Sequence, residues 1–456
     1  MKKIVTDYLL NTRKQYESID LSSYLKKLYE LIDLFLSAEE INCIYVTSLS
    51  KQRHCECLIS NEKWCLIYDQ YMGETLFVLN KLFFGGKSFF EAGYSYVHKL
   101  IGEFLSVRGH NEDALTCAFL YHNNKKDSHH GEYDKIVEEY LVPQQFFIMA
   151  HELHHMLFRK NKSLWKNAEY QYNYYIDCRK QQYKRFKEMA VAERFDLYSK
   201  DFQQKWHSKE DLEEHLKFND PDFESEVELL TIETLEHDEN LKEEICCDFL
   251  ALSLTVSVMT EKYKMNIKDI LKAVYLSFYH LRSIRNLEVA CLEYIRDKKY
   301  KNISDNDAIE LMHSFQKQKF NVDLSIRCHA MLNKCLDMYT LCSTSSFQDS
   351  LSKTAMSNKH KFHEELLGIP ELYYITIFDG LNQVIGYSLL QGGLNKETDR
   401  MSKNDSEYRF VNKNLEIIKK QEGPTQVNSD LCSMFGGPEI QFPNYIFYNF
   451  DPLKSS

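Results

Sequence analysis

Residues 146–158, Phe146-Phe147-Ile148-Met149-Ala150-His151-Glu152-Leu153-His154-His155-Met156-Leu157-Phe158, decide how the rest of the chain is read. The stretch is apolar at helical spacing and contains His151-Glu152-Leu153-His154-His155, an H-E-x-x-H pattern. Residues four apart lie on one helix face, one turn above the other. His151 and His155 therefore point the same way and can close on one zinc ion. Glu152 stands beside them, placed to take a proton from a water at that ion. Pro143 is expected in the first turn of this helix, where no amide donor is needed.

A catalytic zinc takes three protein ligands and keeps a fourth position for water. Two come from the first helix, so the third must come from elsewhere. Glu244-Ile245-Cys246-Cys247-Asp248 opens an apolar stretch expected to be helical over 239–262, with both carboxylates on one face. Glu244 is the best-placed third ligand; Glu243, Glu236 and His237 are the alternatives. Asp248, one turn on, is placed to accept the free ring N–H of a liganded histidine and so fix its tautomer. His154, between the two ligand positions, is expected to pack between helices, the competing reading being a pairing with a group that supports the ligands.

H-E-x-x-H followed by a helical E-x-x-x-D resembles the gluzincin metallopeptidases. The continuation Asp248-Phe249-Leu250-Ala251 is similar to the E-x-x-x-D-x-x-A signature of intracellular and membrane-associated bacterial peptidases, and to the phage-exclusion peptidases. The resemblance covers two helices. It implies a zincin-like metallopeptidase core in which His151, His155 and Glu244 hold Zn2+, Glu152 is the general base and Asp248 supports a ligand. Two departures stand out. His155 and Glu244 are separated by 88 residues, and no His-Pro pair follows the second helix, Leu324-Ser325-Ile326-Arg327-Cys328-His329 being the nearest echo.

With 456 residues, 44% apolar and 27% charged, the chain has the composition of a globular protein with two or three domains. Only 15 Gly and 7 Pro favour helices over strands and linkers. A net charge of −11 argues against a general nucleic-acid binder. The 13 Cys form no dense module, and Thr6-Asp7-Tyr8 interrupts any signal-peptide core after Met1-Lys2-Lys3, so reduced thiols in the cytoplasm are expected. Cys55-x-Cys57 has no second pair at zinc-finger spacing. No apolar run reaches the roughly 18 residues of a membrane span; Phe249–Met259 is too short.

The expected fold is α+β and predominantly helical. Residues 1–130 form an N-terminal α/β region: helices to residue 40, a strand at 41–46, a hairpin of 55–59 with 64–68, and helices over 71–82 and 90–120. Trp64–Tyr68 is the expected edge strand for a peptide substrate, and 121–131 a polar loop. Residues 131–345 form the helical metallopeptidase core, with a Tyr-, Lys- and Glu-rich insertion at 163–238. Residues 346–456 form a C-terminal region. There Leu372–Phe378 and Val384–Leu390 flank Asp379-Gly380-Leu381-Asn382-Gln383 and read as a β-hairpin, 395–405 as a linker and Tyr445–Tyr448 as a strand.

The function expected from these residues is zinc-dependent hydrolysis of peptide bonds in a protein or peptide substrate. The N- and C-terminal regions point to latency and a regulatory protein partner, as in a bacterial defence or stress effector. Tyr275, Tyr279 and His280 are candidate oxyanion donors, with core packing the competing reading. The alternative function is a non-catalytic regulatory or binding protein with a structural or vestigial zinc site; an intact Glu152 argues against it, because a structural site needs no base.

Overall fold

The computed structural model describes residues 25–38, 41–48, 53–60, 63–85, 93–124, 134–188, 221–296, 319–343 and 353–402, with the isolated positions 304, 311 and 314. It is predominantly helical with one small sheet. The chain divides into two compact units, Met1–Met156 with Ala251–Ser456, and Leu157–Leu250.

In the first unit, α1 (Lys26–Ala38) precedes β1 (Cys43–Ser48), β2 (Cys55–Ser60) and β3 (Lys63–Asp69). The strands lie in the order β1-β3-β2, with β1 parallel and β2 antiparallel to β3. The expected hairpin is therefore formed, but the expected edge strand is not an edge. Trp64–Tyr68 lies in the central strand, hydrogen-bonded on both sides, and β1 and β2 are the outer strands. On one face Cys57, Leu66 and Tyr45 align across the sheet, flanked by the rows Cys55, Tyr68, Thr47 and Ile59, Trp64, Cys43. Helix α1 covers the β1 side of this face: Tyr29 stacks on Tyr45 at 4.9 Å and its hydroxyl lies 3.0 Å from that of Thr47.

Asp69 ends the sheet and starts the helices. Its carboxylate accepts the Tyr71 N–H at 3.2 Å, an N-cap on α2 (Gln70–Phe84). Helices α3 (Tyr94–Val107) and α4 (Asn111–Asn124) pack as a hairpin whose turn uses Gly109 at φ +82. The first four residues of the expected 121–131 loop thus belong to α4. Helix α5 runs from Asp134 to Lys160 and includes the motif. Pro143 lies in its interior rather than its first turn, because Val137 and Leu141 extend the buried face N-terminally.

In the second unit, α6 (Lys162–Glu188) and α7 (Pro221–His237) pair: the Tyr172 hydroxyl donates to the Leu235 carbonyl, and Lys180 meets Glu236. They are the described part of the segment read as an insertion. Helix α8 (Glu239–Tyr263) follows, with its residues to Leu250 in this unit and those from Ala251 in the first; it is capped by Asp238, which accepts from the N–H groups of Asn240 and Leu241 at 3.1 and 3.0 Å. Lys242 binds Glu169 of α6 at 2.8 Å.

The remaining elements belong to the first unit: α9 (Ile267–Arg296), α10 (Lys319–Ser343) and α11 (Lys353–Tyr373). The C-terminal β-hairpin is overturned. Tyr374–Phe378 and Gly386–Leu390 are π-helical turns on either side of α12 (Asp379–Ile385), and α13 (Gly393–Ser402) occupies most of the expected linker. Buried Ile377, Phe378, Leu381, Val384, Ile385 and Leu389 recur at helical spacing across the supposed turn. The expected strand at Tyr445–Tyr448 and the helices before residue 25 lie outside the described residues. No described helix is long and apolar enough to cross a membrane.

Candidate metal centre

The motif helix is buried on nearly every side. Of the thirteen residues 146–158, all but Glu152 and His155 are buried. A segment so apolar is held by packing, and Glu152 and His155 are its two partly exposed positions. Phe147 packs on Phe278 of α9 at 5.7 Å and lies 6.5 Å from the His151 ring.

One helical turn brings the two ligand candidates together. The Nε2 atoms of His151 and His155 are 3.2 Å apart, with ring planes at 82°. Two nitrogens at 2.0–2.1 Å from a tetrahedral zinc stand about 3.3 Å apart. The pair therefore fits one edge of such a site; with no ion, the same separation suits an N–H of one ring donating to the other. Glu244 completes a group of three: one ligand atom from each of His151, His155 and Glu244 lies within 4.8 Å of the others. That limit exceeds a tetrahedral edge. Among the described residues this is the one grouping of three or more such side chains. Glu243, Glu236 and His237 are not in it, and Glu236 binds Lys180.

The donor set fits a divalent transition ion with open coordination. Two imidazoles and a carboxylate leave one position vacant in a tetrahedron, and the set carries one negative charge. Asp248 lies one turn from Glu244 and is 1% exposed.

His154 belongs to the packing. Its Nδ1–H donates to the Ala150 carbonyl at 2.6 Å, its ring lies 6.2 Å from Phe35, and burial pulls its pKa down to about 4. A neutral imidazole bonded to its own helix is the interhelical histidine expected from the sequence. Comparison with protein-family models, curated proteins and solved structures gives no match. The site therefore rests on its own geometry.

Two thiols of β2 lie within electrostatic reach of Glu152. Burial raises the Cys55 thiol well above its ordinary value, and the Glu152 charge adds to the effect. Cys57 is raised likewise by burial, then by Cys55 and by Glu152. Both thiols stay protonated, and neither joins the metal grouping.

Of the oxyanion candidates, the Tyr275 and Tyr279 hydroxyls face each other at 3.0 Å. His280 is fully buried: its Nε2–H donates to Asn80 Oδ1 at 2.9 Å, and its Nδ1 lies 3.2 Å from the Tyr373 hydroxyl. Asn80 and Gln144 exchange amide bonds of 2.8 and 3.3 Å, and Gln144 also donates to the Ala273 carbonyl at 3.1 Å. This polar network locks α5 to α2 and α9 below the motif. No sequence motif announces it, because its members are up to 200 positions apart.

Proposed function

We propose that the chain is a zinc-dependent peptidase that hydrolyses peptide bonds in a protein or peptide substrate. The observation that carries the reading is the grouping of His151, His155 and Glu244 with Glu152 on the open seam of the same helix. When bound there, zinc supplies Lewis-acid activation of water and of the scissile carbonyl. Glu152 accepts a proton as the water oxygen bonds to the carbonyl carbon. It then delivers that proton to the amine nitrogen as the C–N bond breaks. Asp248 holds the ring of one histidine by accepting its free N–H. The extended substrate lies along the outer edge of β2, which pairs with β3 alone among the described strands. The zincin-like core, a cytoplasmic setting, latency and a bacterial defence role belong to the same reading, supported by the motif resemblance and by twelve described cysteines that are all free thiols.

The test is a comparison of wild type with Glu152→Gln for bound metal and for cleavage of a broad peptide library. About one zinc per chain in both, with cleavage reduced about 10²–10⁴-fold in the variant, is the expected result. Equal cleavage by the two proteins, or no zinc in either, overturns the proposal.

A further inference from the structure

Two residues before β2 the chain does something expensive. Arg53 has φ +57, the left-handed region that a residue with a Cβ rarely occupies. Such a conformation persists only where the surroundings over-determine it. Here they do. The Arg53 N–H donates to Asp69 Oδ2 at 2.8 Å, and the Asp69 N–H donates back to the His54 carbonyl at 2.9 Å. Nε donates to Thr75 Oγ1 at 2.8 Å, and Nη2 binds the Glu103 carboxylate. The guanidinium lies over Phe104 and Tyr71, 5.3 and 5.8 Å from their ring centroids.

The network continues inward. Lys99 binds Glu74 and stands 3.8 Å from Glu103, and the Tyr96 hydroxyl donates to Thr75 at 3.2 Å. Side chains of all four charged residues, Arg53, Glu74, Lys99 and Glu103, are at most 1% exposed. Taking four charges out of water is costly, and an apolar cluster of the same volume would stabilise the fold as well or better. What the charged cluster provides is directional: a fork that fixes one backbone position relative to α2 and α3. That position is the entry to β2, whose Cys55 and Cys57 lie within electrostatic reach of Glu152.

We propose that Arg53 is a positioning residue for the Glu152 site, pinning the entry of the outer strand β2 to α2 and α3 through Asp69, Thr75 and Glu103. The role in turnover rests on the peptidase reading; the pinning of β2 does not. Arg53 acts through the strand it anchors.

The test uses the full chain with Arg53→Met/Glu103→Leu, which removes a matched pair of buried charges and leaves Lys99 with Glu74. Three quantities are compared with wild type: amide exchange over residues 55–60, maleimide alkylation of Cys57, and KM and kcat on a library-derived peptide. The expected result is an unchanged melting temperature and zinc content, with exchange and alkylation about tenfold faster. KM rises about tenfold while kcat changes little, as when an interaction shared by ground and transition states is lost. Wild-type exchange and alkylation in the folded variant overturn the proposal, and so does a loosened strand with unchanged KM and kcat. Arg53→Lys, which keeps the charge but not the fork, is read in the same way if the double variant does not fold. A wild type that binds zinc and cleaves no peptide overturns the peptidase reading, while exchange and alkylation still decide whether Arg53 pins β2.

Discussion

Nε2 of His151 and Nε2 of His155 face each other across 3.2 Å, one helical turn apart and on the least covered side of a buried helix. Two unprotonated imidazole lone pairs this close repel, so the arrangement is stable only with something positive between them, a proton or a cation. Adding Zn2+ to the metal-free protein is expected to raise the melting temperature, because an ion that binds only the native state at a hundred times its Kd adds about 2.7 kcal/mol. His155→Gln removes the effect. Thermal melts with and without stoichiometric zinc check this, and a shift that survives in the variant places the ion elsewhere.

Glu244→Ala is expected to abolish stoichiometric zinc binding, whereas Glu243→Ala and His237→Ala retain it, because only Glu244 joins the histidine pair. Metal content of the three purified variants distinguishes them. Retention by Glu244→Ala would remove it from the ligand set.

Asp248→Asn keeps shape and volume but replaces a carboxylate by a neutral amide. With Asp248 only 1% exposed, the substitution is expected to lower zinc affinity about 10–100-fold while the fold persists. Competition with a chromophoric chelator measures this; an unchanged Kd leaves Asp248 a packing residue.

His280 gives stability a pH dependence. Burial holds its pKa down to about 3, against about 6.5 in an unfolded chain. The unfolded state therefore binds more protons between those values. The stability contributed by the neutral ring is complete above pH 6.5 and declines as pH falls toward 3, by about 1.4 kcal/mol per unit well inside the window. Urea midpoints at pH 7.5 and 5 are expected to differ less for His280→Gln than for wild type. An equal drop assigns the acid sensitivity to other groups.

Asn80→Ala strips the acceptor from the His280 Nε2–H and one partner from Gln144. Leaving buried donors unsatisfied is expected to destabilise the protein by about 1–3 kcal/mol, read as a lower urea midpoint at constant slope. A neutral substitution would mean that water enters the site.

The C-terminal segment shows how local signals mislead. Aromatic and β-branched residues at 373–378 and 384–390 around Asp379-Gly380 satisfy the rules for a hairpin one stretch at a time. The helical period becomes visible only when Ile377 to Leu389 is followed through Asp379-Gly380 as one segment. Strand order was illegible for a different reason. Three apolar strands in a row do not state which is central; β3 is the centre because it pairs antiparallel with β2 on one side and parallel with β1 on the other.

By itself the sequence determined what is local: a helix from the apolar period of 146–158, and on it two histidines and a glutamate whose relative placement follows from 3.6 residues per turn. It also nominated Glu244, through the same rule applied to a second helix. Tertiary structure alone decided that Glu244, and not Glu243, Glu236 or His237, comes within 4.8 Å of the pair after 88 intervening residues. It alone brought Arg53, Glu74, Lys99 and Glu103 into one buried cluster. Helical spacing fixes neighbours one turn away. Contacts between distant segments are set by how whole apolar faces pack, and no short stretch of sequence contains that information.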